Sequence, residues 1–343
     1  MPIKRDIRID FAKGILIMLM VIGHSGCPSY FGGLIYSFHM PCFFIISGML
    51  LCDKYFDYPF LFVRKRTKGL YKPFVKWSLI FLLFHNIFAK LHLYDNLLTW
   101  HDFINKIFHV ITLTGSEQLL GGFWFLKELL YASVIGFFAI SYTRKYHPKS
   151  TMLMVCLFLI LAVIQSECPY KIPTVGSKTY LATSYYILGY LLKTSHIFDS
   201  KNYCLFLFVS LIFLMIPYIY TGNMDTVGIG LLIYYPLSLL GSMLTITISK
   251  RMETNGNLCC FISKIGQATL YILSFHFISF KIVSFLLILV ERNSIMHLSD
   301  FPVLLFQSWY YWILYSVVGI AMPYLIWSVK EKWGKHNLQS TLG

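Results

Sequence analysis

The sequence predicts an all-α polytopic membrane protein with about ten transmembrane helices and cytoplasmic N and C termini. Four observations support this. Hydrophobic residues make up 57% of the chain, charged residues make up only 13%, and the mean hydropathy is +0.65. A soluble domain contains about a quarter charged residues. The charged residues also cluster between long apolar runs, as in loops between membrane spans. We expect a single membrane-embedded domain, 1–343.

Ten apolar stretches have roughly the length that a helix needs to cross a bilayer. The sixth is the shortest of them. No internal repeat, inverted symmetry between halves or low-complexity tract interrupts the series. The predicted spans are 9–28, 34–52, 74–91, 121–142, 150–166, 180–192, 203–220, 227–249, 266–290 and 302–328.

Lysine and arginine are concentrated in every second loop, as the positive-inside rule describes. A cytoplasmic N terminus makes all of these loops cytoplasmic. The net charge of +14 then follows from this asymmetry, and we expect no nucleic-acid partner. The predicted inner segments are 53–73, 143–149, 193–202, 250–265 and the C-terminal tail.

Residues 92–120 between the third and fourth spans do not form a span. Apolar residues recur there at three- and four-residue spacing from Trp100 to Ile111, with polar residues between them. This pattern predicts an amphipathic helix on the outer membrane surface, capped near Thr99. The helix is either a surface element without a catalytic part or a lid over a site.

The first two spans carry charged and histidine residues, which are costly in lipid and usually indicate function. Lys13 and His24 are eleven residues apart, close to three helical turns. They therefore share one helix face, about 16 Å apart along the axis. Asp10 lies on nearly the same face. His39, near the start of the second span, is expected beside His24 at the outer end of the hairpin.

His24, His39 and Lys13 each have a functional and a structural interpretation. The imidazoles of His24 and His39 suit proton transfer near neutral pH, or they are packed and hydrogen-bonded structural groups. Lys13 lies nearer the cytoplasmic end. Its ammonium either binds an anionic group from the cytoplasm or reaches toward water or lipid phosphate.

Later spans supply further candidates. Trp124 lies near the outer start of the fourth span and could belong to an interfacial aromatic belt. Glu128 lies one turn further on and needs a partner, for which the adjacent Lys127 is on the wrong helix face. His276 in the ninth span is either a structural contact between helices or a site residue.

The cysteines do not form a metal motif. The sequence has eight cysteines but no Cys-x-x-Cys and no His/Cys spacing typical of zinc, so no metal is expected. Most cysteines lie in apolar runs and suit packing. Cys27 and Cys168 both fall in predicted outer loops, where a disulfide is possible.

The two opening motifs resemble the membrane acyltransferase-3 family, closest to its fucose 4-O-acetylase-like branch. The Trp124-Phe125-Leu126 element and the ten-span plan are also similar, so the resemblance covers essentially the whole chain. The family's general pattern has arginine eleven residues before the histidine. This chain has lysine there, which keeps the charge but loses bidentate geometry. The matching segments are Asp10-x-x-Lys13-Gly14 through Gly23-His24, and Phe38-His39-Met40-Pro41-x-Phe43-Phe44-x-x-Ser47-Gly48.

The resemblance implies transfer of an acetyl or other acyl group from cytoplasmic acyl-CoA, such as acetyl-CoA, to a carbohydrate hydroxyl. The acceptor would be a glycan or lipid-linked sugar at the plasma (inner) membrane, with membrane lipid around the protein. His24 would remove the hydroxyl proton, and direct transfer needs fewer assumptions than an acyl-enzyme. The expected catalytic residues are His24, His39 and Asp10; the donor-binding residues are Lys13, Arg64, Arg66 and Lys68; a substrate pocket would contain Ser47, Trp124, Glu128 and His276.

A transporter or flippase for a sugar or lipid-linked oligosaccharide is the main alternative. Such proteins also carry charges within their spans. They often show repeats and helices broken by Gly or Pro in matching halves, and neither is clear here.

Overall fold

The computed structural model describes residues 6–170, 172, 174–193, 203–252, 254, 256–306 and 308–340, and every regular element in these ranges is helical. Short 3₁₀ or π segments join some of the α-helices. The α-helices are α1 Ile7–His24, α2 Ser29–Met49, α3 Lys54–Asp57, α4 Pro59–Arg66, α5 Lys72–Leu83, α6 His85–Lys90, α7 Trp100–Ile111, α8 Trp124–Tyr146, α9 Thr151–Glu167, α10 Ser177–Leu192, α11 Tyr203–Ile219, α12 Gly230–Arg251, α13 Asn257–Gln267, α14 Thr269–Glu291 and α15 Tyr311–Ser340.

Six helical segments in the described residues are long and apolar enough to cross a membrane. The all-helical membrane fold is therefore confirmed, while the number of ten spans and the cytoplasmic termini stay predictions. Helix α1 has 18 residues but carries three charges, at Arg8, Asp10 and Lys13. The six segments are Ser29–Met49, Gln118–Tyr146, Pro148–Glu167, Gly230–Arg251, Thr269–Glu291 and Tyr311–Trp333.

Three predicted spans are not single helices over their predicted lengths. The stretch 74–91 is broken at Phe84, and 266–290 is divided at Ala268 into α13 and α14. The last helix begins at Tyr311, not near 302. Pro302 lacks a backbone donor and restricts the residue before it, which opposes helix formation there. The predicted inner loop 193–202 lies outside the described residues after Lys193.

Helices α1 and α2 form the centre of the fold. Helix α1 packs on α13, α2, α12, α14 and α15, and α2 packs on α10 and α12. Glycines allow the closest approaches. A Cβ atom on Gly266 of α13 would overlap the carbonyl oxygen of Asp10, and one on Gly189 of α10 would overlap that of Ile45. Small residues at crossings let helix backbones touch, which favours helix association in lipid.

A side chain at the α2–α10 crossing is expected to destabilise the protein. Gly189→Val places methyl groups where the backbone of Ile45 lies, so the helices must separate. Overpacking of this kind costs about 1–3 kcal/mol. We expect the apparent Tm in detergent, measured by size-exclusion chromatography after heating, to fall by several degrees. The control is Gly69→Val, because a Cβ at Gly69 meets no atom within 4 Å. Equal Tm values for both variants would contradict this packing.

The predicted amphipathic helix is confirmed as α7, and so is its cap. The Thr99 side chain accepts a hydrogen bond from the Asp102 amide at 3.3 Å, and the Thr99 amide and hydroxyl both donate to the Asp102 carboxylate. These hydrogen bonds hold the pKa of Asp102 below its usual value. Helix α7 packs on α5. It does not line the cavity described below, so the geometry gives no support to the lid interpretation.

Candidate active site

The turn between α1 and α2 brings His24 and His39 close together. The turn contains Gly26 with φ of +77°, a left-handed conformation that glycine adopts without strain. Tyr36 lies between the two histidines. Its ring centroid is 6.0 Å from that of His24 and 5.6 Å from that of His39. Sequence reasoning placed both histidines at this hairpin but did not find Tyr36.

Hydrogen bonds fix which nitrogen of each imidazole is basic. His39 Nδ1 lies 2.7 Å from the carbonyl oxygen of Ile35, which can only accept, so Nδ1 carries the proton. The Tyr36 hydroxyl donates to the Gly23 carbonyl at 2.7 Å. Its oxygen then accepts from His24 Nδ1 at 3.3 Å. In the neutral form, Nε2 of both histidines therefore holds the free lone pair, as a general base requires.

His276 joins this cluster from α14. Its ring stacks on that of His24, with centroids 5.6 Å apart and an interplanar angle of 26°. Nδ1 lies 3.0 Å from the Ile272 carbonyl and 3.1 Å from the Leu273 carbonyl. Nε2 is buried and has no hydrogen-bond partner among the described residues. A buried acceptor without a partner costs free energy unless a ligand satisfies it.

A cavity of about 140 Å³ adjoins His24 and His39. One wall is α1, one is α2, and the others come from α14, the start of α8 and the loop 223–225. Ile17 and Met20 line it and lie on α1 between Lys13 and His24, so the cavity extends from the histidines toward the Lys13 end. The remaining lining residues are Tyr36, Met40, Phe43, Gly122, Trp124, Phe125, Asn223, Met224, Asp225, Thr269 and Leu273.

Lys13 and Asp10 form a pair three helical turns from His24. Lys13 Nζ lies 3.9 Å from Asp10 Oδ1. The Asp10 side chain is only 3% exposed, whereas that of Lys13 is 29% exposed. A buried carboxylate requires a cation or hydrogen-bond donors. The arrangement places a partly accessible ammonium on the helix that also carries His24, as the spacing predicted.

Three of the predicted donor-binding residues, Arg64, Arg66 and Lys68, lie in and just after α4. Arg66 is half-buried, with its guanidinium 5.1 Å from the Phe62 ring centroid and 5.8 Å from that of Tyr186. Its Nη2 donates to the Tyr186 hydroxyl at 3.4 Å. Arg64 and Lys68 are exposed. Arg66 is thus held by aromatic packing, while the other two cations are accessible to an anionic partner.

Three of the predicted pocket residues, Ser47, Glu128 and His276, do not line this cavity, although His276 stacks on His24 beside it. Ser47 is buried in α2 and is not among the lining residues. Glu128 is buried in α8 and lines a neighbouring cavity. The Thr179 hydroxyl donates to its Oε2 at 2.6 Å, and Lys127 Nζ lies 3.4 Å from its Oε1. The expectation that Lys127 is a poor partner was wrong, because its long side chain curves round to the carboxylate.

Cys27 and Cys168 are both free, so the possible disulfide is not formed. Within the described ranges, no group of three or more His, Cys, Asp or Glu side chains is placed to hold a metal ion. The residues that sequence reasoning missed are Tyr36, Asn223, Asp225 and Thr179. Each contributes through contacts between helices or loops, for which the chain carries no periodic signal.

Comparisons with known proteins place this chain among acyltransferases. The family described as "Acyltransferase domain" matches residues 6–328. The chain is 30% identical over 162 residues to "Nodulation protein NolL" of Mesorhizobium japonicum, covering 43% of this chain and 38% of that protein. It is 29% identical over 190 residues to "Nodulation protein NolL" of Sinorhizobium fredii, covering 50% of this chain and 47% of that protein. The matches thus span less than half the length of these relatives. No solved structure matches.

Proposed function

The chain belongs to the acyltransferase domain family, and from this we propose that it is an integral-membrane O-acyltransferase. It transfers an acetyl or other acyl group from cytoplasmic acyl-CoA, such as acetyl-CoA, to a hydroxyl of a glycan or lipid-linked sugar. The observation that carries the proposal is the cavity lined by His24 and His39, whose Nε2 atoms hold free lone pairs. The proposal places the protein in the plasma (inner) membrane as a multi-pass enzyme.

The transfer step uses His24 as general base. The acceptor hydroxyl oxygen attacks the thioester carbonyl carbon, and His24 Nε2 takes the hydroxyl proton. A carbon–oxygen ester bond forms, the carbon–sulfur bond breaks, and the proton passes from His24 to the coenzyme A thiolate. His39 lines the same cavity and is a further acceptor for the hydroxyls of the substrate, and His276 stacks on the His24 ring. Asp10 supports the reaction by neutralising and holding Lys13.

The donor binds on the side of Lys13. Coenzyme A carries phosphates, and Lys13, Arg64 and Lys68 are the accessible cations that bind them, with the half-buried Arg66 beside Arg64 and Lys68 as a further positive charge. Ile17 and Met20 extend the cavity from His24 along α1 toward Lys13, which supports delivery of the thioester from that end. The orientation follows the positive-inside pattern of the sequence.

Transfer of a labelled acetyl group tests the proposal. The purified chain in lipid nanodiscs is incubated with [¹⁴C]acetyl-CoA and a mixture of neutral glycans, and hydroxylamine-labile label on the glycans is measured. Acetyl esters on a glycan, together with free coenzyme A, are the expected products. A transporter, reconstituted in parallel into sealed lipid vesicles, would instead move glycans across the membrane unmodified. Movement without acetyl esters would therefore overturn the proposal in favour of transport.

Tyr36→Phe is expected to lower the rate of acyl transfer about tenfold, the effect of losing roughly 1.4 kcal/mol. The change removes the oxygen that accepts from His24 Nδ1 and leaves the ring shape unchanged. His24 Nδ1 then has no hydrogen-bond acceptor, so the proton is no longer held on Nδ1 and the lone pair is no longer held on Nε2. Tyr58→Phe is the control, because Tyr58 is 64% exposed. Unchanged kcat for Tyr36→Phe would show that the hydroxyl does not position His24.

A further inference from the structure

A second and larger cavity lies against the first. It measures about 370 Å³, compared with about 140 Å³ at the histidines. The two share Trp124, Met224 and Asp225 as lining residues, so they meet at the indole of Trp124. The first cavity is mostly apolar apart from its histidines and the loop 223–225, whereas the second is lined mainly by polar and charged side chains.

Glu128 lines this second cavity, and its carboxylate is positioned to accept further hydrogen bonds there. The residue is 4% exposed, and its carboxylate is held between the Thr179 hydroxyl and the Lys127 ammonium. A carboxylate has about four lone-pair positions, and these two donors occupy two of them. The remaining positions are suited to donors that arrive with a ligand, because a buried carboxylate is stabilised by every further hydrogen bond.

The entrance between the cavities carries a second ion pair. Lys178 is paired with Asp225, and its Nζ lies 4.8 Å from the ring centroid of Trp124. The Lys178 ammonium has three protons, of which the Asp225 pair uses one. An aromatic ring flanked by fixed donors and acceptors can bind a ligand that has both an apolar face and many hydroxyls.

The charges at this cavity indicate a neutral ligand. Its lining contains two cations, Lys127 and Lys178, and two anions, Glu128 and Asp225, arranged as two pairs. An anionic unit such as a phosphate or uronate would add a negative charge that this lining does not balance, because each ammonium is already paired with a carboxylate. A neutral hydroxyl-bearing unit accepts from the ammonium groups and donates to the carboxylates without disturbing either pair.

We propose that the second cavity is an acceptor subsite for a neutral sugar unit adjacent to the one that is acylated. The inference rests on the proposed function. The acylated sugar would lie in the cavity of His24, and its neighbour would stack on Trp124 and hydrogen-bond to Glu128 and Lys178. The acceptor is then an oligosaccharide, and a free monosaccharide fills only the smaller cavity.

The experiment compares acceptor length. The protein in nanodiscs is given acetyl-CoA and neutral glycans of one to five sugar units, with anionic glycans of the same lengths in parallel, and acetyl products are quantified by mass spectrometry. We expect kcat/KM to rise at least tenfold from neutral mono- to disaccharide. Glu128→Gln and Lys178→Gln should abolish this rise and leave transfer to monosaccharides and hydrolysis of acetyl-CoA unchanged. Asp57→Asn and Lys149→Gln, at exposed sites, are the matched controls.

The outcomes separate the two proposals. If monosaccharides and oligosaccharides react equally, if anionic glycans are preferred, or if both variants keep the length preference, the subsite proposal is overturned. If the wild type acetylates none of the glycans, the proposed function itself fails. Lys178 is 32% exposed at its side chain and Gln keeps most of its volume, so this variant tests the subsite even where Glu128→Gln does not fold.

Discussion

His24→Ala is expected to lower the rate of acyl transfer by about 10²–10⁴-fold, the range for loss of a general base. The substitution removes the only nitrogen at this position that can take the acceptor proton. It also removes the ring that stacks on His276 at 5.6 Å. Because acyl-CoA would bind at the other end of α1, its KM should change less than threefold. Acetyl transfer in nanodiscs, with KM and kcat determined separately, is the measurement.

Two further variants make this result specific. His24→Gln keeps much of the ring volume and can hydrogen-bond to Tyr36, yet it cannot serve as a base near neutral pH, so it should be as inactive as alanine. His297→Ala is the control, because the His297 side chain is 46% exposed and pairs with Asp300 at 3.3 Å, outside the cavity. Full activity of the His24→Gln protein would show that His24 is not the general base.

Lys13→Ala is expected to raise the KM for acyl-CoA at least tenfold. The side chain would lose its contact with the donor phosphates, and the Asp10 carboxylate would lose its cation. Removing one member of a buried ion pair costs about 3 kcal/mol, so this variant also tests folding. Acetyl transfer at varied acyl-CoA concentrations gives the KM, and size-exclusion chromatography reports the folded fraction.

The double variant Asp10→Asn/Lys13→Met separates these two effects. It removes both charges together, so the buried side chain is neutral and the fold should be retained. Donor binding should remain weak, because no cation stands at position 13. Lys13→Arg should bind acyl-CoA nearly as tightly as the wild type, since it keeps the charge. A wild-type KM in the folded double variant would assign Lys13 a structural role only.

Residues that act along one helix could be predicted from the sequence. The spacing of Asp10, Lys13 and His24 defined their common face because helix periodicity is fixed, and the cap near Thr99 was predicted because the amphipathic pattern begins at the next residue. The membrane character followed from composition. These features depend only on neighbours within about one to three turns.

Contacts between distant segments could not be predicted in the same way. His276 was a candidate by its type, but its stacking on His24 depends on how α14 crosses α1. Asp225 lies in a short loop without a motif, and only the fold brings it to Trp124. The Lys127–Glu128 pair was missed because the helix-face argument considers Cβ directions, whereas a four-carbon side chain can bend across faces. The break at Phe84 was not predicted, although two polar residues, His85 and Asn86, follow it directly.

The backbone contact between α1 and α13 has a consequence for engineering and for evolution. Gly14 and Gly266 leave no room for a side chain between these helices. The helix that carries Lys13 and His24 is therefore packed backbone to backbone against α13. New acceptor preferences would then arise from changes in the cavity-lining segments that face α1. The segments 118–123 and 223–225 are short and connect helices, so grafting them from a relative should transfer its glycan preference while the chemical machinery stays in place.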